Sequence, residues 1–297
     1  LEEDFVLKIG FIKPWLYLLP ALLIYLIVIF IPAIETLYLS FFSWNGVTAH
    51  KMFVGFQNYI DLFLNDSVFS KALSNNLKWT IGSLIFVIGI GLLLALLLNK
   101  NIKGRIVFRG VFYFPFVLSG VVVATIWVWM YNPTQGFINK LLETMGLERW
   151  THAWLAEPKI ALYAVFVSAL WQGVGQPMVL FLAGLQTIPQ DPYEAAIIDG
   201  AKPYQSFWYI TLPLLRETFV IVFATTMIGS MKVYDTIYAM TGGGPAQSTQ
   251  VLSSWMYYQT FKFANIGIGS AISMILVFIT MIVIIPYVYH TTKKSHV

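Results

Sequence analysis

Chemistry needs polar groups held in fixed relation, so the residues able to supply it come first. The 297-residue chain has no cysteine, which removes disulfides, thiolate metal sites and a thiol nucleophile. Its four histidines, His50, His152, His290 and His296, are scattered, and no metal site is expected of them. There is no Gly-x-x-x-x-Gly-Lys-Ser/Thr phosphate loop, no Gly-x-Ser-x-Gly elbow and no His-Glu-x-x-His pair. The one glycine-rich run, Thr241-Gly242-Gly243-Gly244-Pro245, is not followed by lysine. No catalytic residue and no cofactor are therefore expected in this chain. The polar residues at 191–213 suggest a mechanical role instead. Asp191, Pro192 and Glu194 have the types and spacing of an N-cap, a proline at the first helical position and a capping-box acid. Asp199-Gly200 is a stop, because glycine takes the left-handed conformation found just after helices. Pro203 opens a second short helix, and Leu212-Pro213 ends it. The pattern predicts two short helices with a sharp bend between them.

The elements that must position this pair are long and apolar. The chain is 58% hydrophobic and 11% charged, against about 25% charged residues in a soluble domain. An all-α polytopic membrane protein is expected, as one domain over 1–297, with no cleavable leader. Six stretches suffice for spans of roughly 20 residues: 14–42, 77–98, 106–131, 160–186, 213–232 and 266–289. The fourth is interrupted by Gly173-Val174-Gly175-Gln176-Pro177. Lys100, Lys103, Arg105 and Arg109 crowd the short loop between the second and third stretches, Lys8 and Lys13 precede the first, and Lys293 and Lys294 follow the last. The positive-inside rule then places both termini and the 187–212 segment in the cytoplasm. Trp44, Trp79, Trp129, Trp150, Trp154 and Trp255 fall in or near the opposite loops, as an interfacial belt or as contacts to a sugar or a docking protein.

Polar residues inside spans usually face an interior or a cavity, and broken backbone at membrane depth is tolerated there. Trp171, Gln172, Gly175, Gln176 and Met178 around the fourth-span break are therefore candidate pathway residues, Trp171 as a stacking platform. Thr226, Gly229, Ser230 and Val233 lie near helical spacing on the fifth span. Helix packing by small residues is the competing reading. Glu35 falls near the outer part of the first span. Lys232 and Asp235 end the fifth and are spaced to pair, or to meet an outer protein.

Glu194-Ala195-Ala196, Asp199-Gly200-Ala201 and Ile210-x-Leu212-Pro213 resemble the signature loop of binding-protein-dependent ABC importer permeases. Trp15-Leu16-Tyr17-Leu18-Leu19-Pro20-Ala21, Ile31-Pro32, Ser40-Phe41, Gly55-Phe56-x-Asn58-Tyr59, Asn75-Asn76, and Tyr234-Asp235 leading into the 241–245 glycine run and Ser248-Thr249 extend the resemblance over the chain, towards the maltose-F-like half of carbohydrate importers. A large extracytoplasmic insert and extra N-terminal spans of the enteric maltose protein are lacking. The resemblance implies a bacterial or archaeal cell (inner) membrane subunit. It implies a heterodimer with a second homologous permease, two ATP-binding subunits that hold Mg-ATP, an extracytoplasmic sugar-binding protein and a sugar as cargo, with an oligosaccharide expected. No nucleic acid is expected to bind; the lipid bilayer is the remaining partner. It implies ATPase coupling through Tyr193, Glu194, Ala195, Ala196, Asp199, Gly200, Ala201, Ile210 and Pro213, with Tyr193, Ile197, Phe207 and Ile210 giving apolar contact. Glu194 has two readings, a cap on its own helix or a charge-assisted pair with the ATPase. Rival functions are a permease for glycerol-phosphate or another polyol, an ion-coupled secondary transporter, and a membrane scaffold.

Overall fold

The computed structural model describes Trp15 and residues 17–293. Lys8, Lys13, Leu16, Lys294 and His296 lie outside them. The described residues are all-α apart from one hairpin of two-residue strands. Helix α1 (Tyr17–Leu39) is followed by β1 (Phe42–Ser43) and β2 (Met52–Phe53), antiparallel with Phe42 opposite Phe53. Then come α2 (Gln57–Leu64), α3 (Ser67–Asn99), α4 (Arg105–Val117), α5 (Gly120–Met130), α6 (Phe137–Thr144) and α7 (Ala161–Thr187). The remainder is α8 (Asp191–Ile198), a helical run α9 (residues 203–214), α10 (Arg216–Thr241), α11 (residues 252–262) and α12 (Ile266–Lys293). Among the described residues five helices, α1, α3, α7, α10 and α12, are long and apolar enough to cross a bilayer.

The expected third span is not one helix. α4 and α5 meet at 101°. Leu118 and Ser119 are extended, and Ser119 Oγ accepts from Val122 N as an N-cap of α5. Pro115, near the end of α4, has no N–H to continue the helical ladder, so the turn just before the break is already weakened. If the bent pair counts as one span, the total is six. α3 is longer than expected because Asp66 caps it early, its Oδ1 accepting from Val68 N at 2.9 Å and Phe69 N at 2.8 Å. The fourth stretch has a turn at Val174 but runs through as α7. The fifth starts at Arg216, after a break at Leu215, three residues beyond the predicted Pro213.

Contacts divide the chain into two units, residues 1–65 with 256–275, and residues 66–255 with 276–297. In the first, Asn58 Nδ2 donates to Ser40 O (2.8 Å) and Phe42 O (3.0 Å), and Tyr59 OH donates to Ser40 Oγ (2.8 Å). These bonds fix the turn after α1, and the backbone of Gly267 packs on the Phe42 carbonyl. In the second, α3 and α7 run in parallel register. Gly82 faces the Phe166 ring, and Gly91 leaves room for Pro177, where a Cβ would stand 2.6 Å from the ring carbon. Apolar cores sit at two levels, one around Trp79, Val123, Trp127 and Ile237, the other around Ile88, Phe181, Leu215 and Val222.

Candidate functional site

The bent pair forms as its sequence demands. α8 ends in a Schellman motif: Gly200 N donates to Ile197 O (3.0 Å) and Ala201 N to Ala196 O (2.8 Å), with Gly200 at φ +75°. Nothing lies within 4 Å of where a Gly200 side chain would start, so backbone conformation alone selects glycine. Gln205 Oε1 accepts from Lys202 N at 2.7 Å and starts α9. Pro213 leaves the carbonyl four residues back without its donor, and a wide π turn over Phe207–Thr211 absorbs the mismatch. The start of α8 corrects the expected cap. Pro189 turns the chain after Ile188, so Gln190 occupies the N-cap, its carbonyl accepting from Tyr193 N and Glu194 N. Asp191 is already helical. No capping bond is made by a side chain there, and the exposed Asp191 and Glu194 complement the positive end of the helix instead.

The two short helices are tied together by Tyr193 OH and Thr211 Oγ1 at 2.9 Å, with Thr211 buried. Tyr193 packs on the core shared by α3, α7 and α10. It is therefore internal glue, and Phe207 and Ile210 are half-buried. The large apolar groups left in the open are Ile197, Ile198, Tyr204, Trp208, Tyr209 and Leu214, of which sequence reading found only Ile197. Ala195 and Asp199 are exposed, Ala196 and Ala201 half-buried, Pro213 exposed.

The helices on either side of the pair, α7 and α10, carry the second feature. A cleft of about 200 Å³ opens between α3, α7 and α10. Gln172, Gln176, Thr226, Gly229, Ser230 and Val233 line it, six of the nine predicted pathway residues. The other three do not. Met178 is fully buried, Gly175 is pressed against the Phe112–Tyr113 backbone, and Trp171 sits edge-on to Trp127 at 6.1 Å. Residues 171, 175 and 178 follow one helical stripe, while 169, 172, 173 and 176 follow another. Gln172 Nε2 donates to Leu118 O at 2.8 Å, capping the open carbonyl at the α4–α5 break. Sequence reading missed the α3 wall, Trp79, Ser83 and Val87, and also Phe116, Phe166, Thr225 and Thr236. The helical spacing of Trp79, Ser83 and Val87 was the available signal. Ser230 Oγ donates to Thr80 Oγ1 at 3.1 Å, joining α10 to α3 just behind the cleft. Among the described residues no Asp, Glu, Lys, Arg or His lines it.

At the far end of α10 the glycine run is held from inside. Asn75 Nδ2 donates to Ser248 O and Gln250 O, both at 2.8 Å, and Asn76 Oδ1 accepts from Leu252 N at 3.1 Å. Thr249 Oγ1 donates to Gly244 O at 2.8 Å and meets Thr241 Oγ1 at 2.7 Å. Gly243, at φ +86°, lies on the buried Gln250 amide. Trp255 Nε1 donates to Asp66 Oδ2 at 2.8 Å, and Trp154 Nε1 to Asn139 Oδ1 at 2.7 Å, so two of the outer tryptophans serve the fold. Lys140 pairs with Glu143 and His152 Nδ1 lies 3.2 Å from Glu157 Oε1, whereas Lys232 and Asp235 form no pair with each other. Glu35 is exposed on α1, and no group of three or more metal-ligating acids or histidines occurs among the described residues.

Residues 87–292 match the family model described as binding-protein-dependent transport system inner membrane component. The chain is 36% identical over 269 residues to the multiple sugar-binding transport system permease protein MsmF of Streptococcus mutans, covering 91% of each. It is 34% identical over 262 residues to the trehalose/maltose transport system permease protein MalF of Thermococcus litoralis, covering 88% of this chain and 87% of that one. Its fold matches a chain in the crystal structure of a bacterial ABC transporter involved in the import of the acidic polysaccharide alginate. That match has a TM-score of 0.81 at 23% identity, over 98% of this chain and 96% of the other.

Proposed function

This chain belongs to the inner membrane components of binding-protein-dependent transport systems, and from that premise we propose that it is one permease half of an ATP-driven sugar importer. The relatives named for sugars support the cargo class. The charge-free lining of the cleft supports a neutral sugar over a glycerol-phosphate, which would need a cation beside it, and over an ion-coupled mechanism, which would need a buried acid. The observation that carries the reading is the junction itself. A bent pair with its glutamate unengaged and six large apolar side chains exposed is joined directly to both helices that supply most of the cleft's polar lining. The cleft lies about 20 Å along α7 from the bent pair, at 1.5 Å per residue. A rigid lever of that length moves the cleft when the pair is moved.

In this reading an ATP-binding subunit receives α8 and α9. Its pocket covers Ile197, Ile198, Tyr204, Trp208 and Tyr209, and a basic group meets Glu194. A second homologous permease supplies the other half of the pathway, and an extracytoplasmic binding protein delivers sugar at the end marked by the glycine run. Basic residues at 100–109 set the bent pair and both termini in the cytoplasm. Mg-ATP is held and hydrolysed by the partner subunits. The test is Gly200→Leu in the assembled importer in proteoliposomes. Leucine at φ +75° is strained by about 1–2 kcal/mol, so the bend changes while packing does not. Sugar uptake is expected to fall at least tenfold, with ATP hydrolysis no longer tied to it and membrane insertion intact. Normal uptake would overturn the assignment.

A further inference from the structure

We propose that the chain binds one anionic phospholipid in an apolar groove between α3 and α7, with an acyl chain along Gly82 and the phosphate at Lys78. The groove has a volume of about 320 Å³. Its walls are Ile81, Ile85 and Phe86 on α3 and Tyr163 on α7, each more than half exposed, and Gly82 cuts its floor. It is thus open sideways, along two helices that are both long and apolar enough to span a bilayer.

Position and charge select the occupant. Lys78 lies 21 residues before Asn99, about 32 Å along a helix, which matches the roughly 30 Å hydrocarbon thickness. With the basic 100–109 loop at one membrane face, Lys78 stands at the headgroup level of the other. The apolar walls run from Lys78 inward, as an acyl chain hangs from its headgroup. Lys78 is the one charged residue lining the groove, and it makes no hydrogen bond or ion pair among the described residues. An ammonium at that level has donors left to give, and a lipid phosphate supplies charge and acceptor oxygens together. A zwitterionic lipid brings its own cation to compete, so net-anionic lipid is preferred. Trp79 and Phe166, edge-to-face at 5.1 Å, line both this groove and the polar cleft. An occupant therefore touches the partition that bounds the cleft.

The experiment extracts the protein from membranes with its bound subunits. It is exchanged against mixed micelles holding equal phosphatidylglycerol and phosphatidylcholine, and retained lipid is counted by native mass spectrometry. Wild type is expected to retain phosphatidylglycerol preferentially. Lys78→Glu, which changes the local charge by two at about fivefold per charge, is expected to lower that retention on the order of thirtyfold, and Lys78→Arg to preserve it. Ile85→Trp, which fills the groove without touching the charge, is expected to lower retention of both lipids. A photo-reactive residue at Ile85 is expected to capture lipid. Unchanged retention in Lys78→Glu, or capture of the second permease chain at position 85, overturns the proposal.

Discussion

The bent pair and the outer glycine run are built from the same materials and end in opposite states. Each is a stretch of glycine, proline and small polar residues beside α10, and each turns on a glycine at positive φ, Gly200 and Gly243. Around Gly243 the chain answers most of its own polar groups, the buried Ser248 hydroxyl excepted: Asn75, Asn76, Thr241, Thr249 and Gln250 close a network that is largely buried. Around Gly200 it does not. The Glu194 and Asp199 side chains face solvent, and Ile197, Ile198, Tyr204, Trp208 and Tyr209 are exposed with them. A bend satisfied internally is a latch. A bend that leaves apolar and charged groups together in the open has the composition of an interface awaiting its partner.

The sharpest way to break this contrast is Gly243→Ala. Its Cβ would fall on the Gln250 amide while also taking a positive φ. The strain and the overpacking together cost about 4 kcal/mol. The thermal unfolding midpoint in detergent should drop sharply, whereas Gly200→Leu, strained by about 1–2 kcal/mol but with nothing to overpack, should lower it far less. Equal melting of the two variants would erase the distinction.

Asn75→Ala comes next. It leaves the Ser248 and Gln250 carbonyls without their donor in a buried setting, at about 2–3 kcal/mol. A clear fall in melting temperature is expected, with the bent pair's protease sensitivity unaffected.

How much of this was legible follows from what each feature depends on. The bend at 199–200 was readable because a Schellman stop is local. Gly200 needs only its own φ, and the structure returns both bonds of the motif. The spans were readable because composition fixes them. The early start of α3 and the α4–α5 break depend on single residues, Asp66, Pro115 and Ser119, whose local preferences an average over apolar residues hides. On α7 the candidates were chosen by nearness to the break, so two stripes were pooled. Separating them at 100° per residue keeps Gln172 and Gln176 and sets aside Trp171, Gly175 and Met178. The α3 wall could not be placed from α3 alone, since Gly91 against Pro177 is a match between two distant segments.

Tyr193→Phe sharpens the contrast from the other side. The tyrosine looks like part of an exposed interface in sequence, yet its hydroxyl bonds Thr211 and its ring packs inward. Removing that oxygen leaves the buried Thr211 with its own bond to Ser206 O at 3.3 Å. The cost should be about 1 kcal/mol, read as a small drop in melting temperature, with faster amide exchange in α9.

Glu194→Gln should cost the fold least, within about 0.5 kcal/mol, because the carboxylate makes no capping bond to lose. What glutamine removes is the charge, while side-chain length and helix propensity barely change. The two readings of Glu194 then separate. A helix cap predicts a lower melting temperature and a modest loss of uptake that tracks it, and glutamine, which serves in a capping box, should blunt even that. A partner contact predicts an unchanged melting temperature and uptake reduced about tenfold or more, the scale of one lost hydrogen bond to a charge. The exposed carboxylate favours the second outcome. If uptake survives while melting falls, Glu194 belongs with the latch residues, and the exposed apolar side chains alone would have to hold the ATPase.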